Sequence, residues 1–214
     1  EVHTPAQSKQ LRGIIWSCHQ PYRGEGGKAV MNDNSLEILK WYEKIADKFR
    51  PHFVLGGGDT SYSDGIGETN FVEGVYDKGA WYTNPENREI LRREYQKMYR
   101  HFWSIEPMRN VMSKFPHMFI WDDHEIRDGW GSEGNDFQGG NPEIFKIAKE
   151  VAEEFILNAG PRLRPQGEEA HQAFILGPVA FFVFDTRSTR NYESNNEKLI
   201  SKEQFNDFKS FLKQ

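Results

Sequence analysis

The chain has 214 residues, 37% hydrophobic and 14% aromatic, which suffices for one sizeable core and excludes a disordered chain. A net charge of -5 without a basic stripe argues against non-specific nucleic-acid binding, and no apolar run approaches the roughly 18 residues that span a bilayer. One cysteine, Cys18, excludes an intramolecular disulfide, and no Ser/Pro-rich linker or charge run divides residues 1–214, which read as a single domain.

Residues 11–17 read as a first strand, ended by Cys18-His19-Gln20-Pro21. Asn34-Ser35-Leu36-Glu37 reads as an N-cap with a Glu three residues on, and Ile38, Leu39, Trp41, Tyr42, Ile45, Ala46 and Phe49 recur at helical spacing. Residues 52–55 form a short buried strand that Gly56-Gly57-Gly58 carries out to Asp59. Strand, helix, strand in close succession is a βαβ unit, which favours a parallel pair. The loop to about residue 83 is longer than a plain connection, which points to function.

Asn84-Pro85 starts a long helix marked by Ile90, Leu91, Tyr95, Met98, Tyr99 and Phe102, and Pro107 opens a shorter one to about Lys114. Residues 117–121 are a strand running into Asp122-Asp123-His124-Glu125 and a glycine-rich loop. Asn141-Pro142 begins a helix that Gly160 stops, Gly177-Pro178 joins two strands as a hairpin, and Ser201-Lys202-Glu203-Gln204 is a capping box before the final helix. The fold class expected is α/β, a layered arrangement with helices flanking a mixed, mostly parallel sheet. No strand follows the last helix, so the sheet is expected to have an unfinished edge or face and the sequence to be the N-terminal part of a longer fold.

Ligands of open α/β sheets bind outside the carboxyl ends of the strands. Cys18-His19, Asp59, Asp122-Asp123-His124 and Asp185-Thr186-Arg187 all follow predicted strands, so these tips are expected to converge. Like charges packed this closely need a cation, a hydrogen-bond network or water, and carboxylates with an imidazole suit a hard or borderline divalent ion. Two such ions sharing a carboxylate lower the pKa of a shared water and clamp a phosphoryl group. Each residue also has a plainer reading: Asp59 as a turn aspartate, Cys18 as a small buried hydrophobe, Tyr95 as core packing. Arg127 and Arg187 can clamp substrate oxygens, or pair with Asp128 and Asp185. Tyr62, Phe71, Tyr76, Trp81, Tyr82 and Trp130 can stack on an aromatic moiety of a substrate, or pack their own loops.

Gly57-Gly58-Asp59-Thr60-Ser61-Tyr62-Ser63-Asp64-Gly65 and Trp121-Asp122-Asp123-His124-Glu125-Ile126-Arg127-Asp128-Gly129-Trp130-Gly131 resemble the two signature segments of PhoD-like phosphatases, within the calcineurin-like metallophosphoesterase superfamily. Asp185-Thr186-Arg187-Ser188 resembles the family's next segment, and the resemblance runs from about Ile14 to the C-terminus. It implies hydrolysis of phosphate mono- or diesters with two or more metal ions, drawn from Ca, Fe, Mn or Zn. By the same resemblance Asp59 matches a metal-bridging Asp, Asp123 a metal ligand, and His124 the residue that stabilises the transition state or protonates the leaving oxygen. Cys18 and Tyr95 match iron ligands, and an extracytoplasmic setting is favoured.

The family's C-terminal histidine motifs have no counterpart after Ser188, where no histidine occurs. The partners expected are therefore a small phosphorylated substrate and a missing C-terminal half, without which metal binding and activity would be weak. A non-catalytic binding or regulatory module that keeps the fold is the alternative, and a metal-free carboxylate-pair glycoside hydrolase a third reading.

Overall fold

Three short, largely apolar runs form the parallel sheet on which everything else is hung. The computed structural model describes residues 10–72, 83–132, 134–192 and 197–213. The strands β1 (Gly13–Trp16), β4 (Phe53–Gly57) and β5 (His117–Ile120) pair in the order β1-β4-β5, with Ile14 opposite Val54 and Leu55 opposite Met118. Glycine at 56 permits this pairing, because a Cβ there would lie 2.5 Å from the Phe119 ring.

Between β1 and β4 the chain forms a hairpin that the sequence reading missed. Strands β2 (Tyr22–Glu25) and β3 (Lys28–Met31) are joined by Gly26 and Gly27, both at positive φ. A two-residue turn with two left-handed positions demands this kind of pair, so the signal was present in Gly26-Gly27. Helix α1 (Asp33–Phe49) follows, capped by Asn32, whose side chain accepts from the amides of Asn34 (3.0 Å) and Ser35 (3.4 Å). The helix thus starts before the Asn34 cap that was expected. Its apolar stripe is also split: Leu39 and Ala46 are buried, while Ile38 and Trp41 are exposed.

Helix α2 (Pro85–Trp103) follows the Asn84 cap, whose side chain accepts from Glu86 N at 2.9 Å, and it buries Leu91, Tyr95, Met98, Tyr99 and Phe102 on one face as the spacing required. Helix α3 (Glu106–Lys114) leads into β5. Helix α4 (Asn141–Ala152) runs on into a wider π turn over Glu153–Leu157, where buried Glu153 accepts from Arg162 at 2.9 Å.

The main core joins α2 and α4 to Phe119, Ile120, Trp121, Ile126 and Trp130. A smaller one joins Ala46 and Val54 to Val111 and Phe115. Val54 and Phe53 point to opposite faces of β4. Phe53 meets Phe181 (ring centroids 5.3 Å apart) of the antiparallel hairpin formed by β6 (Gln172–Leu176) and β7 (Val179–Val183), so that hairpin covers the face opposite α1 and α3. It is a separate two-stranded sheet, tied to β5 by Gln172 Nε2 donating to Phe119 O at 2.6 Å. Helix α5 (Lys202–Phe211) starts at Ser201, whose hydroxyl accepts from Gln204 N at 2.9 Å. The Gln204 side chain does not close the expected box; it accepts from Asp185 N at 2.8 Å and donates to Asp185 O at 2.9 Å.

Candidate active site

The β1, β4 and β5 tips converge as the topology requires. After β4, Gly58 (φ +103°) and Asp59 (φ +51°) turn the chain through left-handed backbone. A Cβ on Gly58 would lie 2.6 Å from Asp122 Cβ, so only glycine lets this loop touch the loop after β5. Cys18, also left-handed at φ +52°, donates its thiol to Asp59 Oδ2 at 3.2 Å. Cys18 is exposed, not the small buried hydrophobe of the plainer reading, and partial desolvation, then the hydrogen bond to the Asp59 carboxylate, raise its thiol pKa. His19 is kept neutral, pushed down to about 4 by burial.

Carboxylate oxygens of Asp59, Asp122 and Asp123 all lie within 4.8 Å of one another, and Asp123, His124 and Asp128 form a second such group. Asp59 Oδ1 is buried without a hydrogen-bond partner, and burial raises the Asp59 pKa. Three acids around an unpartnered buried oxygen fit a divalent cation by the chemistry of the donors. Asp122 was expected at the strand tip but, unlike Asp123 beside it, was given no metal role from the sequence.

His124 is held by Asp64, with Nδ1 2.8 Å from Asp64 Oδ1, and its Nε2 lies 3.9 Å from Asp128 Oδ1. Burial opposes a charge on the ring, but the Asp64 hydrogen bond and the fields of Asp64, Asp59 and Asp123 outweigh it and raise His124 to about 9. Asp64, which also accepts from Asp128 N, escaped the sequence reading; its signal was its place in the segment that begins at Asp59. The buried Tyr62 ring lies 4.6 Å from the His124 ring. Burial raises its phenol pKa, and the nearby Asp59 and Cys18 raise it further.

Other expected site residues stand elsewhere or are otherwise engaged. Tyr95 is fully buried in α2 and donates its hydroxyl to Ile126 O at 2.8 Å; it packs the core beneath the loop, and Tyr62 is the tyrosine that approaches Cys18 and Asp59. Arg127 pairs with buried Asp136, and its guanidinium lies 5.4 Å from the Trp130 ring centroid. Trp130 stacks on Phe145 in the core. The Arg187 guanidinium pairs through Nε with Asp122, through Nη2 with Asp123 (3.0 Å), and donates from Nη1 to Trp130 O (2.7 Å). All three nitrogens are engaged, which fits a brace for the acids better than a free clamp for substrate. Asp185 accepts from the Arg187 backbone at 3.0 Å and from Trp121 Nε1 at 3.0 Å, tying the segment after β7 to the tip of β5. Tyr76, Trp81 and Tyr82 lie outside the described residues.

A parallel sheet with acids gathered at its strand tips places the molecule among α/β proteins that present their polar residues at the carboxyl ends of the strands. The chain belongs to the PhoD-like phosphatase family, whose model matches residues 17–212. It is similar to a solved structure titled "Structure of PhoD", with a TM-score of 0.65 and 18% identity over 98% of this chain and 40% of that one, a likeness of fold. It is also 28% identical over 159 residues to the uncharacterized protein YGR266W of Saccharomyces cerevisiae, a match covering 62% of this chain and 21% of the relative.

Proposed function

We propose that this chain carries part of the active site of a metal-dependent hydrolase that cleaves phosphate mono- or diesters. The observation that carries the reading is the buried, unpartnered Asp59 Oδ1 among the oxygens of Asp122 and Asp123. Asp59, Asp122 and Asp123 would hold one metal ion, and Cys18, Asp59 and Tyr62 supply the sulfur, carboxylate and phenol donors that suit iron at a second. Metal bound there supplies an activated water and neutralises charge on the phosphoryl oxygens.

The chain's own side chains do the rest. Asp64 accepts from His124 Nδ1, leaving Nε2 to give its proton to the departing ester oxygen. Arg187 bridges Asp122 and Asp123, offsets their mutual repulsion and fixes their direction. The test is hydrolysis of bis-p-nitrophenyl phosphate with Ca²⁺, Mn²⁺ or Fe³⁺ added, in the wild type and His124→Ala. Metal-dependent turnover that His124→Ala loses supports the reading, and equal rates in both contradict it.

A non-catalytic module is favoured by one observation, that the Arg187 guanidinium already neutralises two of the three acids. Metal analysis separates the two readings: bound metal supports the enzyme, and a metal-free protein supports the module.

A further inference from the structure

Glu125 is fully buried, and nothing in the proposed chemistry uses it. It is nevertheless as heavily engaged as Asp185, and its bonds reach the loops that carry the acidic cluster. Oε1 accepts from Thr60 N (2.5 Å), Thr60 Oγ1 (2.8 Å) and Ser61 N (3.3 Å), while Oε2 accepts from Asp59 N (3.1 Å) and Asp122 N (2.8 Å).

We infer that Glu125 is the positioning residue of the acidic cluster, its Oε2 joining the backbones of Asp59 and Asp122 across two strands and so setting the distance between their carboxylates. The inference rests on the metal-site reading above and deepens it.

Asp59 and Asp122 leave different strands, β4 and β5, and no hydrogen bond within either loop fixes one against the other. The strand pairing ends at Gly57 and Ile120, short of both residues. Beyond that point the loops meet at Gly58, at Glu125 and, further out, where Ser63 N donates to His124 O (2.9 Å) and Asp64 bonds His124; of these bonds, those to Glu125 Oε2 engage the backbones of Asp59 and Asp122 themselves. The approach at Gly58 limits how near the loops can come, and the Glu125 bonds limit how far apart they can drift. Asp59 sits in left-handed backbone, a conformation that is unfavourable for a non-glycine residue and persists where its surroundings enforce it. The bonds to the amides of Asp59, Thr60 and Ser61 are that enforcement. The acceptor must also be a carboxylate. Both oxygens face only donors, so a Gln side chain would turn its NH₂ against N–H groups whichever way it lay.

A purely structural buried carboxylate is available for comparison. Glu153 accepts from Arg162 at 2.9 Å and from Gly167 N at 2.7 Å, and touches none of the site residues in these bonds. The experiment is a calorimetric titration of the metal-free chain with MnCl₂, well below the Tm, for the wild type, Glu125→Gln, Glu125→Asp and Glu153→Gln. Groups that orient metal ligands typically contribute about 10–100-fold to affinity. Glu125→Gln is expected to weaken Mn²⁺ binding at least about tenfold, while Glu153→Gln lowers Tm and leaves Mn²⁺ affinity within about twofold. Glu125→Gln binding like the wild type, or both Gln variants weakening equally, overturns the inference. If Glu125→Gln does not fold, Glu125→Asp decides, because it keeps the charge but is one methylene short: weakened binding supports the inference, and wild-type binding or failure to fold overturns it. A wild type that takes up no Mn²⁺ overturns the metal-site reading itself, which the variants then cannot rescue.

Discussion

Around the tips of β4 and β5 polar groups are bound several times over, whereas along β1 and α1 large apolar side chains stand in the open. Glu125 accepts five hydrogen bonds and Arg187 engages three partners. On the other flank Ile15, Ile38 and Trp41 are 67%, 64% and 63% exposed, and among the described residues no strand pairs with the outer edge of β1. A groove of about 600 Å³ runs between β1 and α1. The contrast separates two kinds of order. The acidic loops are fixed by directional bonds from within these 214 residues, which a site for chemistry requires, while on the apolar flank β1 pairs with β4 and α1 packs on α3, leaving their outer side chains uncovered. Cys18 stands where the two regions meet: it bonds to Asp59 and also lines the groove.

The largest effects should come from breaking the polar side of the contrast. Asp59→Asn removes the charge shared by both proposed metal positions and is expected to reduce phosphodiester hydrolysis by at least about a thousandfold, measured as kcat/KM with metal in excess. His124→Ala is expected to cost about 10²–10⁴-fold in kcat, the usual contribution of a positioned general acid. Gly58→Ala puts a Cβ 2.6 Å from Asp122 Cβ at a φ of +103°, so chemical denaturation should show a loss of about 1–3 kcal/mol.

Further from the site the effects shrink. Burial raises the Asp207 carboxyl, but bonds from Arg164 (2.7 and 2.9 Å) and His171 (2.9 Å) outweigh it and hold the group below the usual aspartate range. A depressed folded-state pKa stabilises at pH values above the ordinary one and ceases to as pH falls through the folded value. Asp207→Asn should therefore lower Tm modestly at pH 7 and by less at pH 3, read by circular dichroism. Smallest of all, Trp41→Ser in this 214-residue chain should change stability by no more than about 0.5 kcal/mol, because the side chain is 63% exposed. A large loss there would erase the contrast between the flanks.

The sequence showed most clearly what local chemistry decides alone. Asn84-Pro85 starts α2, the period of Leu91, Tyr95, Met98 and Phe102 faces the core, and Gly177-Pro178 turns a hairpin. Residues that act through distant partners were harder to read. Arg127 finds Asp136 and Arg187 finds Asp122 and Asp123, where neighbours in sequence suggested Asp128 and Asp185. Tyr62 and Tyr95 are indistinguishable by residue type; only the fold sets the Tyr62 ring beside the His124 ring and turns the Tyr95 hydroxyl toward Ile126 O. Glu125 looked like one more charge in an acidic run, and its function as an acceptor for the Asp59 loop exists only once β4 and β5 are paired.

The most direct test of the central claim is the metal bound at equilibrium, by mass spectrometry after dialysis against excess MnCl₂ and correction for the free ion, for the wild type and Asp59→Asn side by side. The account predicts bound metal in the wild type and little or none in the variant. Equal metal in both, or none in the wild type, would contradict it.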